Sequence, residues 1–297
     1  MTTETFYFGY GSNLNKEDFD QFCQDCGFEG AELQPYTAAW LVDHKLQFHY
    51  YSTSRNGGAA DIVHGYGMAV PGVLFRVGEA AIEALNAKEG HPVFYKMEEV
   101  LVCTPSLQLV KAITYKLVDE RTSKEHIPPT KAYRMLIESG LKEYGLPTRM
   151  LDEAVKDFVL DENIDNVFVY GTLLQGQSRA GAMLSPIKPR SIQAGKIRGD
   201  LYDLVHYPGL RPGTGGVVGE MCKYAGATEF ASLLQQLDGI EGHYGDGKGL
   251  YERVVVLVDL EDGTSEWAWT YLLCSNEFDG QDSSRIPSGS WAEHVQG

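Results

Sequence analysis

The sequence predicts an α+β fold of two tandem small mixed β-barrels with flanking helices, over residues 1–160 and 161–297. Three observations carry that expectation. First, the chain repeats itself: "FGYGSNL" (8–14) returns as "FVYGTLL" (168–174), and "ALNAKEGHPVFYKMEEVLV" (84–102) returns as "QLDGIEGHYGDGKGLYERVVVLV" (236–258). The order recurs along with the motifs, with 79 residues from Tyr10 to Glu89 and 71 from Tyr170 to Glu241. Second, "YERVVVLVDL" (251–260) and "EWAWTYLL" (266–273) flank the short "EDGTS", which reads as a hairpin of an antiparallel or mixed sheet. Third, neither half alternates strand and helix regularly, so a doubly wound sheet is disfavoured.

Taken in order, the apolar run "FYFGY" predicts a buried strand that stops at a tight loop of small polar residues. "PGVLFRV" (71–77) and "VGEMCKY" (218–224) read as strands opened by glycine. Each leads to a helix: "GEAAIEALNAKE" sets Ile82 and Leu85 on one face, and "TEFASLLQQLDG" does so with Phe230, Leu233, Leu234 and Leu237. Thr228 is an expected N-cap. The first half adds a helix over 130–145, ended by Gly145 and Pro147, and another over 149–159. The polar stretch 160–165 is the expected linker.

Composition bounds function. Hydrophobic residues make up 43% and charged residues 22%, ordinary values for a globular protein. A formal net charge of -16 argues against nucleic acid and against anionic membrane surfaces as partners, since both require a basic footprint. No window approaches the roughly 18 apolar residues of a membrane span. No basic-then-apolar leader opens the sequence, so no secretory signal is expected. Five scattered cysteines suggest reduced thiols and a cytoplasmic location. Cys23 and Cys26 form a CxxC, but no further pair or closing histidines accompany it, so a structural role is the simpler reading.

The opening loop is not a nucleotide cradle: "GYGSNL" lacks the lysine of a P-loop and the third glycine of a dinucleotide fingerprint. A strand ending in small residues still offers backbone N–H groups to a carboxylate. Ser12 and Thr172 add a hydroxyl, and Asn13 adds an amide. Glu89 and Glu241 each lie between a helix and a strand, in register with the loop and before a glycine that permits a sharp turn. His91 and His243 follow, as weaker acid–base candidates, because geometry decides whether the residue beyond an intervening glycine faces the same way. No GxSxG occurs, and "HYGDGKG" lacks the spaced acids of a calcium loop. What remains is a carboxylate facing a loop of anion-binding donors, twice.

At these residues the sequence resembles the gamma-glutamylcyclotransferase superfamily. The N-terminal half is similar to gamma-glutamylcyclotransferase proper, through "YFGYGSNL", "NGGAADIV", "PGVLFRV", "LNAKEG", Tyr95, Pro128-Pro129, Tyr133 and "KEYGLP". The C-terminal half is similar to the gamma-glutamylamine and avirulence-induced branch, through "VFVYGTL", "GDLYDL", "YPGL", "GEM", "LDGIEG" and "YERVVV". The resemblance implies that the α-amine of a γ-glutamyl substrate attacks its own γ-carbonyl, giving 5-oxoproline and a free amino acid or amine, with no cofactor and no metal. It implies Glu89 and Glu241 as general acid–base residues. Backbone groups around Gly11, Ser12, Asn13 and Leu14, and around Gly171, Thr172 and Leu173, would hold the glutamyl group and the developing oxyanion, and Tyr10, Tyr95, Tyr170 and Tyr251 would line the pockets or hydrogen-bond the substrate. The longer spacer after Glu241 suggests a lid or a different leaving-group pocket. Alternatives are γ-glutamyl acyl transfer or deprotection, and a non-catalytic binding protein that keeps the pocket.

Overall fold

The computed structural model describes residues 4–157, 163–224, 229–245, 247–274 and 284–296. It divides into two compact units, Met1–Thr104 with Val110–Leu160, and Asp161–Gly297 with Pro105–Leu109. The boundary expected at 160/161 and the N-cap expected at Thr228 lie outside the described residues.

The first unit runs β1 (Thr5–Gly9), α1 (Lys16–Cys26), β2 (Gln34–Ser52), β3 (Gly57–Val77), α2 (Glu79–Glu89), β4 (Tyr95–Cys103), β5 (Leu109–Leu117), α3 (Lys131–Glu143) and α4 (Arg149–Val155). Its strands close in the order β1-β3-β2-β4-β5, with β1 antiparallel to β3 and parallel to β5 at Tyr7↔Ile113. The second unit runs β6 (Asn166–Val169), β7 (Ser191–Asp203), β8 (Pro208–Lys223), α5 (Phe230–Glu241), β9 (Tyr251–Leu260), β10 (Ser265–Leu273), β11 (Ser284–Arg285) and α6 (Trp291–His294). It repeats the same circuit as β6-β8-β7-β9-β10, closed by the β7–β9 pairing and by parallel β6–β10, and β11 adds to the edge of β7. Both units are therefore mixed barrels with flanking helices, as the sequence predicts. The β9–β10 hairpin pairs from Tyr251↔Leu273 to Asp259↔Ser265.

The strands expected at 71–77 and 218–224 are the ends of longer ones. β3 continues back through Pro71 to Gly57 because β2 matches it along its whole length, absorbing three register shifts. The glycines that suggested strand starts have another cause. A Cβ on Gly72 would lie 2.4 Å from Gly9 O and 2.6 Å from the Phe8 ring, and one on Gly219 would lie 2.2 Å from Val169 O and 2.7 Å from the Phe168 ring. In each barrel a glycine lets the strand that carries the site loop pack against its neighbour.

The helices form where expected and are shorter at their ends. α3 starts at the Thr130 cap, whose Oγ1 accepts from Tyr133 N at 3.2 Å, and α4 ends at Val155 rather than 159. α2 buries Ala81, Ala84 and Leu85, while α5 buries Phe230, Leu233, Leu234 and Leu237. Cys23 is buried on the inner face of α1 and Cys26 is exposed, both as free thiols. Among the described residues no helix is long and apolar enough to cross a membrane.

Candidate active site

In each barrel the first strand delivers a short loop, and the helix that follows the third strand ends on a glutamate facing that loop. α2 stops because Gly90 adopts φ +64°, and α5 stops because Gly242 adopts φ +67°, the left-handed conformation that favours glycine at a helix end. The chain then folds back, with His91 N donating to Asn86 O and His243 N to Asp238 O. This makes Glu89 and Glu241 the last residues of their helices and fixes their stems.

The loops match as closely. Leu14 N donates to Gly11 O at 3.1 Å and Leu174 N to Gly171 O at 3.0 Å, so each loop is one tight helical turn whose first N–H groups have no acceptor within it. Tyr10 Oη donates to Tyr115 O and Tyr170 Oη to Tyr271 O, each at 2.6 Å. Thr114 and Thr270 donate their hydroxyls to Phe8 O and Phe168 O at 2.8 and 2.9 Å. Tyr95 Oη reaches Ala60 O, and Tyr251 Oη reaches Pro208 O. These tyrosines each bury a ring and satisfy a hydroxyl, which stiffens the pocket wall.

In the first barrel the parts enclose a cavity of about 400 Å³, lined by Tyr10, Gly11, Ser12, Asn13, Glu89 and Tyr95 among others. The side chain of Leu14, a residue expected to contribute through its backbone, is buried against α3, where a Cβ on Gly140 would lie 2.4 Å from its own. Asn13 Nδ2 donates to Glu89 Oε1 at 2.8 Å and to Tyr7 Oη at 2.9 Å. Burial pushes the Glu89 carboxyl above its ordinary range, against the opposing pull of Lys88, the Asn13 bond and Arg55.

Below the loop lies an ion cluster that sequence reasoning missed. Arg55, from the β2–β3 turn, grips both carboxylate oxygens of Asp18 at 2.8 and 2.7 Å and donates to Ser12 Oγ at 3.2 Å. Lys88 Nζ donates to the same Asp18 at 2.7 Å. Attraction to both cations holds the Asp18 carboxyl below its usual value despite partial burial, which alone would raise it. Tyr133, from α3, also faces the cavity and accepts from Ala60 N at 3.3 Å.

The second cavity is about 90 Å³ and is lined by Tyr170, Gly171, Thr172, Leu173, Glu241 and Tyr251, all expected, with Arg179, Tyr207 and Leu250 among those not foreseen. Leu250 belongs to the spacer after Glu241, so that segment shapes the cavity wall. Here Leu173 stands where Asn13 stands, and Val167 where Tyr7 stands. Burial, opposed by Arg179, pushes the Glu241 carboxyl up to about 7.

His91 and His243 line neither cavity. Each turns its Nδ1 onto the following strand, accepting from Met97 N and from Arg253 N, both at 3.2 Å. They hold the helix-to-strand turn. Tyr115 and Tyr271 had a legible signal: "AITYKL" (112–117) returns as "AWTYLL" (268–273), and the shared Thr-Tyr makes the bonds described above. Among the described residues no cluster of three or more His, Cys, Asp or Glu side chains could hold a metal ion.

Comparison with known proteins fits both halves. The family model described as "Gamma-glutamyl cyclotransferase, AIG2-like" matches residues 167–293, and that of the "AIG2-like family" matches 69–153. The bovine protein named Gamma-glutamylcyclotransferase is 32% identical over 146 residues, covering 48% of this chain and 72% of its own length. The chain belongs to the gamma-glutamylcyclotransferase family. The human relative of the same name is 31% identical over the same shares. A solved structure described as "Gamma-glutamyl cyclotransferase" matches 52% of this chain and 88% of that one, at 28% identity and a TM-score of 0.44. The chain is thus an enzyme of this family with two family segments in tandem.

Proposed function

We propose that each barrel cyclises a γ-glutamyl substrate to 5-oxoproline and a free amine, with Glu89 moving protons in the first site and Glu241 in the second. One observation carries the reading. A glutamate whose charge is disfavoured by burial faces a Gly-Ser or Gly-Thr turn at the same topological position twice.

The chemistry suits these parts. The ionised carboxylate takes a proton from the substrate's α-ammonium, and the freed amine nitrogen attacks the γ-carbon. The resulting oxyanion lies against turn N–H groups. The same carboxylic acid returns the proton to the leaving nitrogen and the old C–N bond breaks; the ring nitrogen gives up its second proton, which the released amine takes up as it becomes an ammonium, and the neutral five-membered lactam departs with it. A raised pKa serves both halves of this exchange, since a base that is too weak cannot take the proton and an acid that is too weak cannot return it. Holding the two reacting ends together supplies the remaining advantage, with effective molarities of about 10⁵–10⁸ M for well-oriented partners.

The test is a panel of γ-glutamyl amino acids, γ-glutamyl amines and glutathione, assayed for 5-oxoproline. Formation with at least one of them supports the reading; binding without any turnover favours a retained pocket without catalysis.

Two pH effects follow. With the first site silenced by Glu89→Gln, the kcat/KM of the second is expected to rise with pH through about 7, because only ionised Glu241 accepts the ammonium proton. A flat profile between pH 6 and about 8 contradicts this. With the second site silenced by Glu241→Gln, Asn13→Leu is expected to move the acidic limb of the first site's profile to higher pH. The lost hydrogen bond favours the ionised carboxylate, so its removal raises the pKa further. An unmoved or lowered limb contradicts the assignment.

A further inference from the structure

The two sites differ most in how they treat their cation. In the first, Arg55 is committed: Asp18 takes two of its N–H groups, and Ser12 Oγ takes another contact. In the second, Arg179 and Glu241 are the charged residues among those lining the cavity. Among the described residues the Arg179 guanidinium has no hydrogen-bond or ion-pair partner. Its backbone is nonetheless fixed. Arg179 N donates to Thr172 O at 2.8 Å, which ties the residue to the turn that faces Glu241.

A guanidinium held beside a small, mostly apolar cavity is built to meet an anion in planar, two-pronged fashion. Which anion follows from the contrast between the sites. Resting on the cyclisation reading above, both sites hold the same γ-glutamyl group, and the first does so with its arginine already neutralised by Asp18. An uncommitted guanidinium is therefore not a requirement of the glutamyl moiety. The part of the substrate that can differ is the amine that leaves. Arg179 is an exposed residue that still lines the cavity, which sets it at the mouth, and a cavity of about 90 Å³ leaves most of a leaving group to be met there.

We propose that Arg179 selects the leaving group of the second site by binding a carboxylate carried on the departing amine. The second site then favours γ-glutamyl amino acids over γ-glutamyl derivatives of uncharged amines. Arg179 is a specificity residue here, and Glu241 alone moves the protons.

The test uses the full chain carrying Glu89→Gln, with and without Arg179→Gln, on γ-glutamylalanine and γ-glutamylethylamide. These substrates differ only in the carboxylate of the leaving group. Arg179 also opposes the rise of the Glu241 pKa, so the variants are compared on the alkaline plateau of each pH profile, where Glu241 is ionised in all of them. There, loss of one charge-assisted contact is expected to lower kcat/KM for γ-glutamylalanine by about tenfold or more, mainly through KM, and to leave γ-glutamylethylamide within about twofold. Arg179→Lys is expected to recover part of the loss. Equal losses on both substrates, or no loss on either, overturn the proposal. If the Glu89→Gln parent forms no 5-oxoproline, the cyclisation reading of this site fails separately, and calorimetric binding of γ-glutamylalanine decides: weaker binding in Arg179→Gln supports the selector role, and equal binding overturns it.

Discussion

Replacing Glu89 and Glu241 together by Gln is expected to lower 5-oxoproline formation by about 10²–10⁴-fold, the usual worth of a positioned acid–base group. Glutamine keeps the size of each side chain and removes its ability to take and return a proton. The single variants make the prediction sharper. The sites are separate, each with its own loop, glutamate and tyrosine wall, so their rates are expected to add. The rate of Glu89→Gln plus the rate of Glu241→Gln is then expected to equal that of the unaltered chain on any one substrate, measured well below saturation. A single variant that abolishes all turnover assigns the activity to one barrel and overturns the two-site account. Far-ultraviolet circular dichroism on each variant checks that the fold is retained.

The other large effect lies behind the second site. Asp238, on α5, accepts from Tyr271 Oη at 2.7 Å and pairs with Arg253 at 3.0 Å. The Arg253 side chain is fully buried and lies over the Trp269 ring, 4.7 Å from its centre. Asp238→Ala leaves a buried guanidinium without this carboxylate, and such losses cost about 3–5 kcal/mol. The first barrel shows the uncharged solution to the same problem: Asn86 accepts from Tyr115 Oη at 2.8 Å, and Met97 takes the place of Arg253. Asp238→Asn with Arg253→Met is therefore expected to recover most of what Asp238→Ala loses, since a buried pair often exchanges for neutral packing at little cost. Hydrogen exchange along α5 and β9 reads both variants, because it reports this unit's opening apart from the rest. Equal protection in Asp238→Ala and the unaltered chain contradicts the role given to the pair.

Much of the site was legible because the chain states it twice. The Glu-Gly-His repeat marks a helix end, since Gly90 and Gly242 are needed at positive φ, and the Tyr-Gly-Ser/Thr repeat marks the turn that each glutamate faces. The hairpin over 251–273 was legible from its two apolar runs and the short polar break between them. The ion cluster of Asp18, Arg55 and Lys88 was not legible, because its members lie 37 and 70 residues apart and are brought together by barrel closure alone. Nor does local sequence tell a core tyrosine from a pocket one: Tyr7 and Tyr133 reach the first cavity through long-range packing. Leu14 shows the converse. It sits within the site motif, yet its side chain supports α3 rather than facing the cavity. Strand length was underread because Gly72 and Gly219 mark close packing against Phe8 and Phe168, not strand ends.

Product analysis on one γ-glutamyl amino acid tests the central claim most directly. The unaltered chain and the Glu89→Gln/Glu241→Gln variant are incubated side by side, and 5-oxoproline, glutamate and the released amino acid are quantified together by nuclear magnetic resonance. The expected result is 5-oxoproline and amino acid in equal amounts with no glutamate from the unaltered chain, and neither product above background from the variant. Glutamate as the product, or 5-oxoproline released undiminished by the variant, contradicts the claim.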